Sequence, residues 1–142
     1  MKETFETCPF CQHNLEPEQI VLMNTHCLFI QRDEPVLTGS GLIIPKIHRQ
    51  DVFDLSSDEI RATFELLQEV KILLDRQYHP DGYNIGWNSG QAAGQEIFHA
   101  HLHVIPRFSD EPYAGRGIRH WLKKEENLRQ VHDHPQEESP DG

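Results

Sequence analysis

One stretch of the sequence decides the fold, and it reads Gly94-Gln95-Glu96-Ile97-Phe98-His99-Ala100-His101-Leu102-His103-Val104-Ile105-Pro106-Arg107. Hydrophobic residues alternate over residues 97–105, which predicts a β-strand that is closed by Pro106. Successive side chains of a strand point to opposite faces, so one face carries three histidines, His99, His101 and His103. The opposite face carries small and aliphatic side chains and is expected to be core. The histidine face is therefore expected to line a cleft or a metal site.

Two functions fit three histidines on one strand face. In the first, the imidazoles together bind a catalytic metal ion, since imidazole is a common metal ligand. In the second, one imidazole is a nucleophile, because a neutral ring near its pKa can attack phosphorus at neutral pH. Its neighbours would then donate hydrogen bonds to phosphate oxygens. The spacing alone leaves both functions open.

A Cys-x-x-Cys pair near the start of the chain, Cys8 and Cys11, has the spacing of half a zinc site. His48 follows a predicted strand, and two thiolates with two imidazoles would complete a tetrahedral structural zinc site. The pair could instead be redox-active, although no thioredoxin-like context surrounds it, or it could be two idle thiols. A total of three cysteines argues against a disulfide framework.

The loop before the histidine strand, residues 88–95, is rich in small and amide side chains. Glycine permits close approach of the backbone to a ligand, and Asn88 and Gln95 supply amide donors. Taken alone, these residues fit an ordinary hairpin loop. Their position directly before the histidines favours a substrate-binding role.

The other elements indicate an α+β fold with a mostly antiparallel sheet, one long helix and short terminal helices. Two short apolar runs, Ile20–Met23 and Cys27–Ile30, predict a hairpin, and a third run ends at Pro45. A strand is predicted over residues 83–88 and a short helix over residues 119–128.

The long helix is predicted to begin with a capping box of Ser56 and Glu59 and to run to about residue 76. Hydrophobic residues at helical spacing predict its buried stripe, which consists of Ile60, Phe64, Leu67, Val70 and Leu74.

Composition restricts the classes of function. The formal net charge of −10 argues against binding nucleic acid through its phosphate backbone, which requires a basic surface. No stretch is apolar enough to suggest a membrane span and no signal peptide is visible, so a cytoplasmic location is expected. Residues 1–130 are expected to form a single domain, and residues 131–142 a disordered acidic tail.

These motifs resemble the signature of the histidine triad (HIT) family. The match rests on Gly94-Gln95 followed by three alternating histidines, and on the upstream block Leu42-Ile43-Ile44-Pro45-Lys46-Ile47-His48. Residues 8–107 can be laid along the family in order. The Cys-x-x-Cys pair is similar to that of zinc-containing bacterial members.

The resemblance implies a HIT-like fold, an antiparallel sheet with helices on one side, and a homodimer that joins the sheets of two subunits. It implies hydrolysis or transfer of a nucleoside monophosphate, by attack on the α-phosphate of a dinucleoside polyphosphate or a nucleoside phosphoramidate. His101 is the implied nucleophile, which forms a covalent nucleotidyl-histidine. His103 is implied to contact phosphate oxygens or the leaving group, and Asn88 and Gln95 to contact ribose or phosphate.

The resemblance also implies a structural zinc ion, with the ligands Cys8, Cys11, His48 and His99. That assignment weakens the catalytic-metal alternative, because only His101 and His103 remain and the nearby Glu96 has the opposite strand parity.

Two departures from the family pattern concern substrate recognition. A histidine that commonly precedes the Leu42 block is replaced by Ser40, so the buttressing interaction of that histidine is either missing or supplied by the Ser40 hydroxyl. Ser40 is expected to contact the substrate. An acidic residue that commonly binds ribose hydroxyls is replaced by Arg32, with Asp33 beside it. These departures keep open a nucleotide-binding or scaffold protein with little turnover. A metal-dependent phosphohydrolase is a further alternative.

Overall fold

The computed structural model describes residues 4–131, in which the strands form one five-stranded antiparallel sheet. The strands lie in the spatial order β1 (Ile20–Met23), β2 (Cys27–Ile30), β3 (Gly41–Pro45), β5 (Leu102–Arg107) and β4 (Gly82–Trp87). One long helix, α1 (Ser57–Tyr78), connects β3 to β4. This is the predicted α+β architecture. Among the described residues, none of the helices has the length and apolarity of a membrane span.

Short 3-10 helices occupy several connections: Gln12–Asn14, Pro17–Gln19, Val52–Asp54, Gln91–Ala93 and Glu125–Asn127. The last of these replaces the helix predicted over residues 119–128, which is otherwise a series of turns. The predicted acidic tail lies outside the described residues apart from Val131.

The predicted capping box of α1 is confirmed. The Ser56 hydroxyl accepts a hydrogen bond from the Glu59 amide at 3.1 Å, and a Glu59 carboxylate oxygen accepts one from the Ser56 amide at 2.8 Å. The helix ends at Tyr78, and its C-cap residue His79 adopts a left-handed conformation with φ of 52°. It is therefore two residues longer than predicted, because its last turn continues until this C-cap.

The predicted buried stripe of α1 is partly wrong. Ile60 and Phe64 are exposed, whereas Ala62, Thr63 and Leu66 are buried with Val70 and Leu74. Small side chains at positions 62 and 63 allow the helix to approach the sheet closely there. The larger hydrophobic side chains at positions 60 and 64 lie on the flank of the helix. A prediction based only on large hydrophobic residues therefore places the buried stripe too far toward that flank.

The sheet is buried on both faces, but by different partners. Helix α1 covers one face, which we call the helix face, and packs on Cys27, Phe29, Ile43, Leu102 and Val104. The opposite face, which we call the open face, is covered in part by the segment around Cys8 and Cys11. That segment packs on Leu28, Ile30 and Ile44.

The histidine strand is shorter than predicted, since β5 begins at Leu102 rather than at residue 97. The strand is also not closed by Pro106, because it continues through Pro106 to Arg107, which pairs with Gly82. The backbone just before it is held by bonds outside the sheet. The Ala100 amide donates to the Arg49 carbonyl at 2.7 Å, and the Ile97 carbonyl accepts from the Gln95 side chain at 3.1 Å. His99 and His101 therefore lie in an irregular segment, and only His103 occupies a position in the regular ladder.

The two edges of the sheet differ. Strand β1 has an irregular register with β2 between Ile20 and Leu22, whereas β4 pairs with β5 in continuous register from Gly82 to Trp87. The free side of β4 therefore presents a regular row of backbone groups, and that of β1 does not.

Gly41 is expected to be essential for the close packing of β3. A Cβ atom there would lie 2.5 Å from Cε1 of Phe29 and 2.6 Å from the Ile30 carbonyl oxygen. We expect Gly41→Ala to lower the free energy of unfolding by about 1–3 kcal/mol in urea denaturation, because the core must shift. Gly82→Ala is the control, since a Cβ atom there meets nothing within 4 Å. Equal stability of the two variants would contradict the packing argument.

Candidate active site and metal cluster

The open face of the sheet carries His103, which is the histidine that lies within β5. His103 lies directly opposite Leu42 of β3 and Gly86 of β4. Directly opposed residues of antiparallel strands place their side chains on the same face. Leu42 packs with the cluster around Cys8 and Cys11, so His103 points to this same face, away from α1.

Four side chains form a cluster that could hold a metal ion: Cys8, Cys11, His48 and His99. Their donor atoms all lie within 4.8 Å of one another. Nδ1 of His99 is 3.4 Å from Sγ of Cys8 and 3.7 Å from Sγ of Cys11, and Nδ1 of His48 is 3.3 Å from Sγ of Cys11. Tetrahedral zinc sites with these ligand types have neighbouring donors roughly 3.3–3.8 Å apart. The structure therefore brings together all four predicted ligands, and three of the donor pairs have separations that suit a tetrahedral ion.

The protonation chemistry of the cluster also fits a metal. Burial lowers the pKa of His99 to about 4, so its ring is neutral at pH 7 and can act as a ligand. Burial, followed by the hydrogen bond and charge of Cys8, raises the pKa of Cys11 to about 12. The Cys11 thiol is therefore a poor acid on its own, and a cation between the two sulfurs would favour its thiolate form.

The ring of His99 is oriented by a backbone partner. Its Nε2 lies 2.8 Å from the Pro45 carbonyl oxygen, which can only accept a hydrogen bond. Nε2 therefore carries the proton in the neutral ring, and Nδ1 faces the thiols as an acceptor. Pro45 is the last residue of β3, so the end of that strand fixes the ligand.

His101 is oriented by His99, which is also one of the four candidate metal ligands. Its Nδ1 lies 2.8 Å from the carbonyl oxygen of His99, so Nδ1 carries the proton and Nε2 is the unprotonated nitrogen of the neutral ring. The ring packs edge-on against Phe10, at 5.1 Å between centroids, and is only 8% exposed. Its orientation is therefore restrained from two sides.

His103 stands beside His101, with 4.9 Å between the ring centroids. Burial, followed by the charge of His101, lowers the pKa of His103 below its ordinary value, so the ring is neutral at pH 7. Its Nε2 is buried and has no hydrogen-bond partner among residues 4–131. A buried polar atom of this kind is a candidate contact for a bound substrate.

The histidine segment is also tied to the start of α1. The Arg49 carbonyl accepts the Ala100 amide, and the Arg49 guanidinium donates to the buried Glu59 carboxylate at 2.9 Å. Glu59 is the residue that completes the capping box. The helix cap and the histidine segment therefore share one connection through Arg49.

The two predicted amide donors, Gln95 and Asn88, have different surroundings. The Nε2 of Gln95 donates to the Gln50 carbonyl at 2.7 Å and to the Ile97 carbonyl at 3.1 Å, while its Oε1 accepts from the Gly90 amide. Both amide protons of Gln95 are thus used within the protein, so a substrate contact would require one bond to be exchanged. The Asn88 side chain lies next to Gly94, where a Cβ atom would be 3.7 Å from Nδ2 of Asn88. Gly94 has a φ of 93°, which is the left-handed region that favours glycine.

The structure does not group Ser40 with the histidines. Ser40 lines a cavity of about 810 Å³ at the connection between β2 and β3, together with Arg32 and Tyr78. None of the clustered histidines lines that cavity. The Arg32 guanidinium carbon lies 4.6 Å from the centroid of Phe10, so Arg32 contacts the histidine site through that ring.

Phe10 is the site residue that sequence reasoning missed. It is buried between the two cysteines of the Cys-x-x-Cys pair and contacts the rings of His99 and His101. The only signal in the sequence was its position inside the pair. Because Phe10 lies between the two cysteines, they place its ring against His99 and His101.

An antiparallel sheet, one long helix on its helix face and neighbouring histidines on its open face define a histidine-triad class of α+β domain. The HIT domain matches residues 14–110, and the chain belongs to the HIT family.

Individual relatives agree with this assignment. A Zn-bound histidine triad family protein from Mycobacterium smegmatis has a TM-score of 0.68 and 30% identity, with 80% of this chain and 84% of that chain covered. An adenylylsulfatase of Arabidopsis thaliana is 30% identical over 128 residues, which are 87% of this chain and 65% of that protein. A bis(5'-adenosyl)-triphosphatase of Dictyostelium discoideum is 28% identical over 106 residues, 75% of this chain and 71% of that protein.

Proposed function

We propose that this protein is a nucleotide hydrolase or nucleotidyl transferase in which His101 attacks an α-phosphate. The observation that carries the proposal is the 2.8 Å contact between Nδ1 of His101 and the His99 carbonyl, which supports Nε2 as the attacking nitrogen. The neutral His103 beside it supports the same role. The names of the adenylylsulfatase and triphosphatase relatives are consistent with cleavage next to an adenylyl group.

The proposed reaction has two balanced steps. First, the Nε2 lone pair of His101 forms a bond to the α-phosphorus, and the bond from phosphorus to the leaving group breaks with its electron pair going to that group. A proton from solvent neutralises the leaving group. Second, a water oxygen bonds to phosphorus, the P–N bond breaks and its electron pair returns to Nε2. The water proton is released, and the product is a nucleoside monophosphate.

His103 is the proposed stabiliser of the negative charge that develops on the nonbridging oxygens. Its buried Nε2 faces the same open side of the sheet and can donate to such an oxygen in the tautomer protonated there. Backbone amides of the loop over residues 88–95, the Asn88 amide and, after exchange of a bond, the Gln95 amide are proposed to add further donors. Ser40 remains a proposed substrate contact at the neighbouring cavity.

Replacing the proposed nucleophile separates chemistry from binding. We expect His101→Asn to lower kcat/KM for adenosine 5'-phosphoramidate at least about 1,000-fold, because no P–N bond can form. Nucleotide binding and the melting temperature should change little. The control is His13→Ala, since His13 is an exposed histidine outside the site. Wild-type turnover by His101→Asn would disprove the mechanism.

A second candidate is a nucleotide-binding or scaffold protein with little turnover. The replacements at Ser40 and Arg32 favour it, because both lie where the family commonly has residues that assist substrate binding. The same measurement separates the candidates. A wild-type protein that binds nucleotides but forms no monophosphate product, and no covalent nucleotidyl adduct by intact mass, belongs to the second class.

We propose that the cluster of two cysteines and two histidines binds a structural zinc ion. A set of two sulfur and two nitrogen donors is typical of zinc, and the solved relative from Mycobacterium smegmatis is Zn-bound. The ion would fix His99, whose carbonyl orients His101. All four ligands come from the protein, which favours a structural over a catalytic ion.

Removing one ligand tests the zinc proposal. We expect purified protein to contain about one zinc ion per chain, and Cys8→Ser to lose it together with stability, because metal binding contributes to folding. Cys27→Ala is the control, since Cys27 is buried on the helix face, away from the cluster. Unchanged zinc content in Cys8→Ser would remove Cys8 from the site. If a chelator abolishes activity while the fold persists, the ion is catalytic, as in the metal-dependent phosphohydrolase alternative.

We propose that two copies associate along β4 and the adjacent flank of α1. Lys71 and Asp75 reach Tyr83 of β4, and their helical stripe continues as Leu67, Phe64 and Ile60. Phe64 and Ile60 are exposed on the same stripe, and β4 is an edge strand with a regular register. Exposed apolar surface that is contiguous with a free strand edge is typical of an interface.

The association is tested by one charge on the flank of α1. Phe64→Glu is expected to shift the sedimentation equilibrium from dimer to monomer, because a carboxylate would be buried in the interface. Met23→Glu is the matched control, since Met23 and Phe64 are both 52% exposed but Met23 lies on the opposite edge strand. A wild-type monomer, or equal effects of both variants, would contradict this interface.

A further inference from the structure

One peptide group connects the candidate metal cluster to the proposed nucleophile. Its carbonyl belongs to His99 and accepts from Nδ1 of His101 at 2.8 Å, while its amide belongs to Ala100 and donates to the Arg49 carbonyl at 2.7 Å. No cis peptide bond occurs within residues 4–131, and the N–H and C=O of a planar trans peptide point in opposite directions. The Arg49 carbonyl therefore holds one end of the group whose other end orients the His101 ring.

The orientation of this peptide group decides which nitrogen of the neutral His101 ring carries the proton. With the carbonyl toward the ring, Nδ1 donates and Nε2 keeps its lone pair. Rotation of the group by about half a turn would present the Ala100 amide to Nδ1, so Nε2 would carry the proton and could not attack phosphorus. Ala100 is buried, so water cannot replace the bond to Arg49 that this rotation would break.

The position of Arg49 is fixed in turn by an ion pair with the first turn of α1. Nε of Arg49 donates to Oε1 of Glu59 at 2.9 Å, and the same oxygen accepts from the Ser56 amide at 2.8 Å. Glu59 is only 2% exposed. Burial acts to raise the pKa of Glu59, but the hydrogen bonds from Ser56 and Arg49 outweigh it and lower this pKa below its ordinary value. The carboxylate is therefore charged at pH 7.

The helix cap alone does not explain a buried charge at position 59. Glutamine completes a capping box as well as glutamate does, and Asp58 already supplies an exposed carboxylate where the helix N-terminus favours one. A gain in stability does not explain it either. Buried ion pairs stabilise little, and Oε2 of Glu59 is buried without a hydrogen-bond partner among residues 4–131. What the charge does add is a strong hold on the Arg49 guanidinium.

The two residues after Arg49 hold the loop that precedes the histidines. The Gln50 carbonyl accepts from the Gln95 side chain at 2.7 Å, and the Asp51 carboxylate accepts from the Ser89 hydroxyl at 3.0 Å. Three successive residues thus contact both the histidine segment and the loop with the proposed substrate donors. A displacement of Arg49 would therefore disturb both parts of the site together.

We propose that Arg49 and Glu59 are positioning residues that hold the peptide group between His99 and Ala100 in the orientation needed for attack by Nε2 of His101. The proposal rests on the proposed function, because it concerns the same nucleophile. Neither side chain touches the substrate, and both act through the Arg49 carbonyl. Their effect is therefore on kcat and on the tautomer of His101 rather than on nucleotide binding.

Removal of the charge at position 59 tests the proposal kinetically. We expect Glu59→Gln, which keeps the capping box, to lower kcat for adenosine 5'-phosphoramidate about tenfold or more with little change in KM, because the nucleophile is misplaced. Arg49→Met should act similarly, and Arg49→Lys should recover part of the loss. The double variant Arg49→Met/Glu59→Gln should lose little more than either single variant, because the two residues act as a pair.

Arg61→Met is the matched control, since it breaks the exposed ion pair of Arg61 with Asp58 near the same end of α1. All variants are compared under conditions in which circular dichroism shows them folded. Their zinc content is also measured, because Arg49 follows the candidate ligand His48. Equal kcat values for Glu59→Gln and Arg61→Met would overturn the proposal, and so would a loss of kcat that occurs only together with loss of zinc.

The tautomer of His101 gives a readout that does not depend on turnover. Proton–nitrogen NMR correlations of the imidazole distinguish a proton on Nδ1 from one on Nε2. We expect the Nδ1–H tautomer in the wild type and in Arg61→Met, and a population of the Nε2–H tautomer in Glu59→Gln and Arg49→Met. This shift, in a protein whose wild type shows no turnover, would support the positioning role and refute the proposed reaction. Turnover through His101 with an unchanged tautomer and kcat in Glu59→Gln would refute the positioning role alone.

Discussion

His99 is the residue on which the rest of the site depends. Its ring faces the two thiols, its Nε2 donates to the end of β3, and its carbonyl accepts Nδ1 of His101. One residue thus connects the cluster, the sheet and the proposed nucleophile. The cost of burying so many polar atoms is offset only when each one has its partner, so the arrangement fixes the ring positions closely.

This dependence divides the three histidines by role. His99 is part of the frame, His101 is the oriented ring, and His103 carries the buried atom that has no partner among residues 4–131. The two burial-induced pKa shifts act in the same direction, since both His99 and His103 are kept neutral. Neutral rings suit the proposed metal ligation in the first case and the proposed contact with phosphate in the second.

Local patterns predicted the elements well, because short apolar runs bounded by turn residues need little tertiary context. The first three strands have the predicted bounds, and the Ser56 capping box starts α1 as expected. The errors come from contacts across the fold. The Ala100 amide donates to the Arg49 carbonyl instead of to a neighbouring strand, and the Gln95 side chain donates both amide protons to backbone carbonyls. Neither bond follows from alternation or residue type, and neither does the placement of Phe10 against His101.

The irregular register of β1 has a consequence for how far the sheet can grow. An isolated sheet with two regular edges can add strands from other molecules at both sides and can propagate as a fibre. Here the register break between Ile20 and Leu22 disfavours addition at β1, while β4 stays regular. Under the proposed association along β4, pairing between copies would be isologous and would close after one partner. The irregular register of β1 would then prevent further strand addition at the edge opposite to β4.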